Sequence, residues 1–111
     1  LNTNVTIYQL LKSLFPGGTI TGCPKIRCME IINELEPSDR GPYSGSFGYI
    51  GFCRQLDFNI LIRTIFIKNG EASFHVGAGI VADSNPDKEY EETLSKAAAM
   101  IEVLSDPTCR V

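Results

Sequence analysis

Two acidic side chains and two glycines lie close together in the stretch GAGIVADSNPDKEYEET, residues 77 to 93. Glu89 and Glu92 are three residues apart where a helix is predicted to begin, so both lie on one helix face, which is expected to point away from the apolar face of that helix. Carboxylate oxygens are the ligands that Mg²⁺ prefers, and a bound Mg²⁺ neutralises an acidic substrate. The other interpretation is a solvated helix face, stabilised by the helix dipole and by an ion pair between Glu92 and Lys96. The residues alone leave both interpretations open.

Gly77 and Gly79 bracket Ala78 at a point where a β-strand is predicted to run straight. Backbone without side chains lets peptide N–H groups approach an anion closely, which makes a site for a carboxylate. A β-bulge, or a tight contact with the neighbouring strand, explains the same glycines without a ligand.

Arg63 is predicted to lie in the middle of an apolar strand, with Leu61 and Ile65 among its neighbours. A buried guanidinium requires an anionic partner, because burying an unpaired charge is costly. The partner is either a ligand carboxylate, held through two parallel hydrogen bonds, or an acidic residue of the protein itself. His75, the only histidine, lies in a predicted strand and is interpreted as a core or edge histidine rather than a catalytic one.

Apolar spacing predicts three helices, at residues 6 to 15, 23 to 37 and 87 to 104. Pro16 and Pro37 are expected to end the first two, and Pro24 suits the first position of the second helix. Apolar side chains at helical intervals mark one face of each helix. For the third helix, the side chains expected on the buried face are Tyr90, Leu94, Ala97, Ala98 and Ile101.

Three strands are predicted between the second and third helices, at residues 43 to 53, 58 to 68 and 71 to 81. Asn69-Gly70 predicts a type I′ hairpin between the last two strands. Simple pairing across this turn would place the Arg63 side chain on the opposite sheet face from the glycines, so we expect irregular pairing at residues 77 to 79. The fold class is therefore α+β, with an antiparallel sheet and flanking helices.

Bulk composition excludes several classes of protein. The chain of 111 residues suits one small domain, and its net charge of -3 without a cluster of Lys or Arg argues against a nucleic-acid partner. The apolar runs are far shorter than the ~18 residues of a membrane span, and no signal-peptide pattern is present. We expect a cytoplasmic protein without a membrane association. The four cysteines form no CxxC pair, which favours reduced structural thiols over a zinc site.

The strand predicted at residues 58 to 68 is apolar on both faces, so each face requires a covering layer. Three strands and three helices hardly supply two such layers, and the sequence opens at Leu1 without an initiator methionine. We therefore expect residues 1 to 111 to form a fragment of a larger domain, or a swapped or oligomeric arrangement that covers the exposed sheet faces.

Five segments occur in the order and spacing of the C-terminal motifs of the chorismate-utilising enzymes. They are SLFPGGTITGCPKIRCMEIINELEP, GPYSGSFGYIGF, LDFNILIRT, GAGIVADS and EYEETLSKA. The chain resembles this family over roughly residues 5 to 104. The family includes component I of anthranilate synthase and of aminodeoxychorismate synthase, and the isochorismate and salicylate synthases. The GGTITG and LDFNILIRT segments look closer to the aminodeoxychorismate branch than to anthranilate synthase.

The resemblance implies contacts with the substrate, chorismate, at three side chains. Thr19 in GGTITG is similar to a threonine near the chorismate ring and is the candidate catalytic residue. Tyr43 in GPYSG and Arg63 in IRT are similar to a tyrosine and an arginine that contact the carboxylate end of the substrate.

The resemblance also assigns roles to the stretch between residues 77 and 93. Gly77, Ala78 and Gly79 match a backbone loop that binds a chorismate carboxylate. Glu92 matches a direct Mg²⁺ ligand, and Glu89 a companion ligand or water-holder. The glycines and the acids would then serve one substrate, one group directly and the other through the metal.

The aminodeoxychorismate branch implies amination of chorismate at C4, with ammonia from a glutamine amidotransferase subunit, towards 4-aminobenzoate and folate. In this branch a nucleophilic lysine, a further metal glutamate and a histidine lie upstream of the matched segments, and Lys25 does not match that lysine. We therefore expect the 111-residue chain to be inactive by itself. A chorismate-binding module without Mg²⁺, or a purely structural part of a larger protein, remains an alternative.

Overall fold

The structure, a computed structural model, describes residues 4 to 108. Their helices and strands follow the order α1 Ile7–Leu14, α2 Gly18–Thr21, α3 Lys25–Leu35, β1 Ser46–Ile50, β2 Leu56–Ile60, β3 Phe66–Lys68, β4 Glu71–Ser73 and α4 Pro86–Ser105. The α+β class is confirmed. In place of one three-stranded sheet, β1 pairs with β2 and β3 pairs with β4, both antiparallel. No helix within residues 4 to 108 has the length and apolar character needed to cross a membrane.

The chain divides into two compact units, the first ending at Ile60 and the second beginning at Leu61. In the first unit, α1 begins with a capping box in which Gln9 N–H donates to the Thr6 hydroxyl and Thr6 N–H donates to the Gln9 side chain. The ring of Phe15, which follows α1, lies 6.1 Å from the ring of Phe58 in β2. The first predicted helix is thus confirmed.

The short helix α2 was not expected from the sequence. It has four residues, begins with glycine and is too short to show a helical period, so no pattern marks it. Gly22 ends it with φ +94°, and a Cβ at this position would lie 2.8 Å from the Cys28 sulfur of α3. Glycine is therefore required where α2 meets α3.

The second predicted helix is confirmed as α3, with two corrections. Pro24 precedes the first helical residue instead of occupying it. The predicted apolar face is largely exposed, including Ile26, Met29 and Leu35. The helix ends before Pro37, as expected, because a proline disfavours the helical conformation of the residue that precedes it.

The prediction of one continuous strand at residues 58 to 68 is wrong. This segment is divided into β2 and β3, and Arg63 between them has φ +51°. Ile60 pairs with Ser46, the first residue of β1, and the preceding Gly45 donates to the Pro42 carbonyl in a turn. The partner strand has therefore already turned away, so the ladder stops at residue 60.

The second unit begins with the predicted hairpin, which is confirmed. Lys68 pairs with Glu71, and both Asn69 and Gly70 have positive φ, as a type I′ turn requires. The last predicted strand is shorter than expected, because pairing ends at Ser73 and residues 74 to 80 are irregular. Irregular structure at residues 77 to 79 is therefore confirmed.

Helix α4 confirms the third predicted helix, but of the face expected to be buried it buries only Ala97. Asn85 caps it by accepting from the N–H groups of Asp87 and Lys88, and Pro86 takes the first helical position. The buried apolar residues are Ala97 and Met100. Of the face expected to be buried, Tyr90, Leu94, Ala98 and Ile101 are exposed.

The correction to α4 has a consequence for the acidic pair. At about 100° per residue, Glu89 lies on the same side of the helix as Met100, and its side chain is half-buried. The expectation that both glutamates point away from the packed face is thus wrong for Glu89. Glu92 is exposed, as expected.

Candidate functional site

The irregular segment at residues 77 to 79 leaves its backbone donors available. Within residues 4 to 108, no backbone hydrogen bond uses the N–H groups of Gly77, Ala78 or Gly79. A Cβ placed on Gly79 would have no atom of the described residues within 4 Å, so packing in this part of the chain does not explain the glycine. Free donors and open space above the backbone are the features that an anion requires.

A tight turn joins this segment to α4. Ser84 N–H donates to the Val81 carbonyl over 3.0 Å, and Val81 N–H donates to the Ser84 hydroxyl over 3.1 Å. The same hydroxyl donates to Oε1 of Glu89 over 2.7 Å. Ser84 therefore fixes the direction of the Glu89 carboxylate relative to the turn.

A second polar contact links α4 directly to the glycine segment. Nζ of Lys96 donates to the Gly77 carbonyl oxygen over 3.1 Å and lies 2.5 Å from Oε1 of Glu92. The predicted ion pair between Glu92 and Lys96 is therefore confirmed. The contact with Gly77 joins residues 19 positions apart and was not expected from the sequence.

The glycine segment and the start of α4 enclose an open cleft of about 340 Å³. Its wall includes Ala78 from the segment, Ser84 from the turn, and Glu89, Tyr90 and Thr93 from the helix. The lining is mainly apolar, and its polar groups are the Glu89 carboxylate and the hydroxyls of Ser84, Tyr90 and Thr93. A pocket of this type is suited to a small ring compound with a few polar substituents.

The donor chemistry of Glu89 and Glu92 fits Mg²⁺. This ion is commonly held by one or two carboxylates and takes its other ligands from water and from an acidic substrate. Within the described residues, no group of three or more His, Cys, Asp or Glu side chains is arranged to hold a metal ion. The two glutamates therefore match a shared site of this kind and not an all-protein cage.

Arg63 does not occupy the environment expected for it. It lies in the irregular segment between β2 and β3, and its side chain is exposed. Within residues 4 to 108 its guanidinium forms no ion pair, which excludes the predicted internal salt bridge from this part of the chain. The prediction of a buried guanidinium was wrong because it assumed a continuous strand.

The remaining predicted residues, Thr19 and Tyr43, belong to the first unit. Thr19 lies in α2 and is exposed, whereas Tyr43 is half-buried in the turn before β1. Tyr43 lines a cavity of about 400 Å³ together with Arg40, Glu36 and Ser44. The structure thus places Tyr43, but not Thr19, on the wall of this cavity.

A charged pair holds the surroundings of Tyr43 in place. The Arg40 guanidinium donates through Nε and a terminal nitrogen to the Glu36 carboxylate, at 2.8 and 2.5 Å, and lies 5.6 Å from the Tyr43 ring centre. The hydrogen bonds that Arg40 donates to the Glu36 carboxylate raise the pKa of Arg40 above its ordinary value, against a smaller opposing effect of burial. Arg40 also donates to the hydroxyl of Ser44, which is buried and has φ +63°.

Sequence reasoning missed Ser84, Arg40 and the second contact of Lys96. The segment SNP before α4 carries a usable signal, because serine, asparagine and proline together are typical of a helix start whose side chains bond nearby backbone. Glu36 and Arg40 are four residues apart, but α3 ends at Leu35, before both of them, so helical spacing does not predict their pairing.

Of the four cysteines, Cys23, Cys28 and Cys53 are free thiols. Cys23 and Cys53 are exposed and Cys28 is half-buried, so the expectation of reduced thiols is confirmed for these three. Cys109 lies outside the described residues.

Comparison with known proteins identifies the class to which this arrangement belongs. Residues 1–102 match the family of chorismate binding enzymes, and the chain is a member of that family. Relatives of this chain carry the names of synthase components.

Two named branches of the family are equally similar to this chain. Anthranilate synthase component 1 of Synechocystis is 53% identical over 94% of the chain, and aminodeoxychorismate synthase component 1 of Bacillus subtilis is 54% identical over 83%. The corresponding protein of Salmonella typhimurium is 48% identical over 88% of the chain. The chain spans about a fifth of the length of these curated relatives, between 20% and 22%.

Proposed function

We propose that this sequence belongs to component I of an Mg²⁺-dependent aminodeoxychorismate synthase, which replaces the C4 hydroxyl of chorismate by an amino group. A glutamine amidotransferase subunit would supply the ammonia, and the product would lead to 4-aminobenzoate and folate. The observation that carries the proposal is the cleft of the second unit, which is bordered by both the glycine segment and Glu89. One small diacid placed there would meet the glycine segment on one side and the Glu89 carboxylate on the other.

Each candidate residue has a role that its environment supports. The unused N–H groups of residues 77 to 79 donate to one substrate carboxylate, and the exposed guanidinium of Arg63 is free to bind a carboxylate through two hydrogen bonds. In the first unit, Tyr43, whose surroundings Arg40 holds in place, would contact a carboxylate of the substrate. Thr19 lies near the substrate ring as the candidate catalytic residue.

Glu89 and Glu92 are the residues that would hold Mg²⁺, whose charge stabilises an acidic substrate and the developing charge of its leaving group. Glu89 and Glu92 contribute two carboxylates, three residues apart, to one helix face. Ser84 orients Glu89 so that its second oxygen is available for a metal or a metal-bound water.

Anthranilate synthase component I is a second candidate, favoured by a specific observation. Relatives that carry this name are as similar to the chain as the aminodeoxychorismate synthases, at 53% against 54% identity. The two reactions differ in the ring position that receives the amino group, C2 in place of C4. Identification of the product from chorismate, ammonia and Mg²⁺ by the full-length protein decides between them. Anthranilate as the main product would contradict the proposal.

The metal role is tested by calorimetric titration of chorismate into the protein with and without Mg²⁺. For Glu92→Ala we expect Mg²⁺-dependent binding to weaken by at least about 100-fold, since even outer-shell partners of a metal cost 10- to 100-fold. Glu91→Ala is the matched control, because it removes the same charge from an adjacent, exposed position. Equal effects of the two substitutions would contradict a ligand role for Glu92.

A non-catalytic binding module predicts a different result. Chorismate would then bind with the same affinity in the presence and absence of Mg²⁺, and Glu92→Ala would have no effect. The 111-residue chain is itself expected to form no product, because the family's upstream lysine, glutamate and histidine have no match in it. Turnover by the purified 111-residue chain would contradict this expectation.

A further inference from the structure

Lys96 connects the two parts of the candidate site through a single ammonium group. Its Nζ donates to the Gly77 carbonyl and is paired with Oε1 of Glu92, and its side chain is mostly buried. Helical spacing explains the pair with Glu92, but nothing in helix geometry requires the contact with Gly77. The backbone segment with free donors is therefore tied to the proposed metal ligand by one side chain.

The carboxylates of Glu89 and Glu92 differ in the charge that already compensates each of them, and therefore in how easily each accepts a cation. Glu89 accepts a hydrogen bond from the neutral hydroxyl of Ser84 on one oxygen, so its charge is not compensated by that contact. Glu92 is paired with a full positive charge. A divalent cation bound at the Glu92 carboxylate would repel the ammonium, because Nζ of Lys96 lies 2.5 Å from Oε1 of the same carboxylate and like charges at such short range repel.

We propose that Lys96 makes the glycine segment responsive to a divalent cation at Glu92. In the cation-free state the ammonium holds Glu92 and Gly77 together. A cation that takes the Glu92 carboxylate removes one of the two anchors of Lys96, so the ammonium moves and the Gly77 carbonyl loses its partner. Lys96 is thus a positioning residue, and the inference rests on the proposed metal role of Glu92.

Functionally, this coupling sets an order of events. The segment is held in one conformation until the metal arrives, and it becomes free to adjust to a carboxylate only afterwards. An acidic substrate would therefore meet an adaptable set of N–H donors in the metal-loaded protein and a constrained set in the metal-free protein.

The first test is a titration of Mg²⁺ alone into the wild-type protein and Lys96→Met. Loss of the competing ammonium should tighten Mg²⁺ binding by about 2- to 5-fold, the range that a partly exposed ion pair is worth. Lys88→Met is the matched control. Lys88 is also four residues from Glu92 on the same helix, but it forms no ion pair within residues 4 to 108. We expect its substitution to change the affinity by less than about 2-fold, because an unpaired exposed charge is largely screened by salt.

The second test measures the coupling itself, through the carbonyl ¹³C shift of Gly77 and the amide shift of Ala78. In the wild-type protein both signals should move with Mg²⁺ and share the midpoint of the calorimetric titration. In Lys96→Met they should start near the Mg²⁺-loaded position and stay there as Mg²⁺ is added. A purely structural lysine would alter the starting shifts but would not abolish the response.

The outcomes separate this inference from the proposed function. Mg²⁺ binding of equal strength in the wild type and Lys96→Met, with an unchanged Gly77 response, overturns the coupling and leaves the metal site intact. Equal tightening in Lys96→Met and Lys88→Met also overturns it, because the effect would then be one of net charge. Failure of Mg²⁺ to bind either the wild type or Lys96→Met overturns both the metal site and the coupling.

Discussion

The surroundings of Tyr43 in the first unit and of Glu92 in the second unit are held by different kinds of contact. Arg40 and Glu36 form two parallel hydrogen bonds, and the residues involved lie within nine positions of one another. In the second unit, Lys96 reaches Gly77 through one hydrogen bond across 19 positions. The first arrangement is local and has two bonds, so it resists change. The second has single contacts that a competing ion can replace.

The glycines show the same contrast between the two units. Gly48 in β1 is required by packing, because a Cβ there would overlap the Asp57 carbonyl of the neighbouring strand. At Gly79 a Cβ would meet no atom of residues 4 to 108 within 4 Å, and the φ of this glycine is not positive. Gly48 is therefore required for the pairing of β1 with β2, whereas Gly79 leaves space where a ligand can approach.

The largest effect is expected for Gly48→Ala, which tests the packing role of Gly48 in the comparison with Gly79. The new methyl group must separate β1 from β2, so we expect the free energy of unfolding to fall by about 3 kcal/mol, the upper part of the range for overpacking. Urea denaturation of the purified protein measures this change. An unfolding midpoint equal to that of the wild type would show that the strands separate without cost and would remove the packing argument.

A smaller effect is expected when the Arg40 pair is broken. Arg40→Met should lower the free energy of unfolding by about 1.5 kcal/mol, because two charge-assisted hydrogen bonds are lost and the Glu36 carboxylate remains partly buried. Arg27→Met is the control, since Arg27 pairs with Glu30 where the side chains are 58% and 55% exposed. Such a pair is worth about 0.5 kcal/mol. Equal losses in the two variants would mean that the Arg40 pair is an ordinary surface contact.

Gly79→Ala should separate binding from stability. We expect the free energy of unfolding to stay within about 0.5 kcal/mol of the wild type, as for other exposed positions without special contacts. Chorismate affinity in the presence of Mg²⁺ should fall about 10-fold, because a methyl group interferes with one charge-assisted hydrogen bond from the backbone. Calorimetry measures the affinity and urea denaturation the stability. A loss of stability without a loss of affinity would assign Gly79 to packing.

Local sequence signals predicted the helices and the hairpin well. Thr6, Asn85 and Pro86 act within one helical turn, and Asn69-Gly70 determines its own turn, so neighbouring residues contain the necessary information. For the candidate site, the sequence predicted which residues take part but not how they are arranged in space. Glu89, Glu92 and the segment at residues 77 to 79 were identified, but the cleft that Ala78 and Glu89 line together was not.

The errors share a physical cause. Hydrophobicity predicted a continuous strand through Arg63 and a buried face with Tyr90 and Leu94, because an apolar residue was assumed to have an apolar neighbour. Strand length depends on a partner strand, and β1 turns away at Gly45. The buried face of α4 depends on what packs against it, and this lies outside the helix's own sequence.

By itself, the sequence determined the α+β class, the three long helices, the hairpin turn at Asn69-Gly70, and membership of the chorismate binding enzymes, because each depends on short segments of fixed spacing. Only the tertiary structure decided that Glu89 is half-buried, that Arg63 is exposed, and that Lys96 spans Glu92 and Gly77. These features depend on contacts between residues far apart in the chain. Such contacts form only when the chain folds into one packing arrangement.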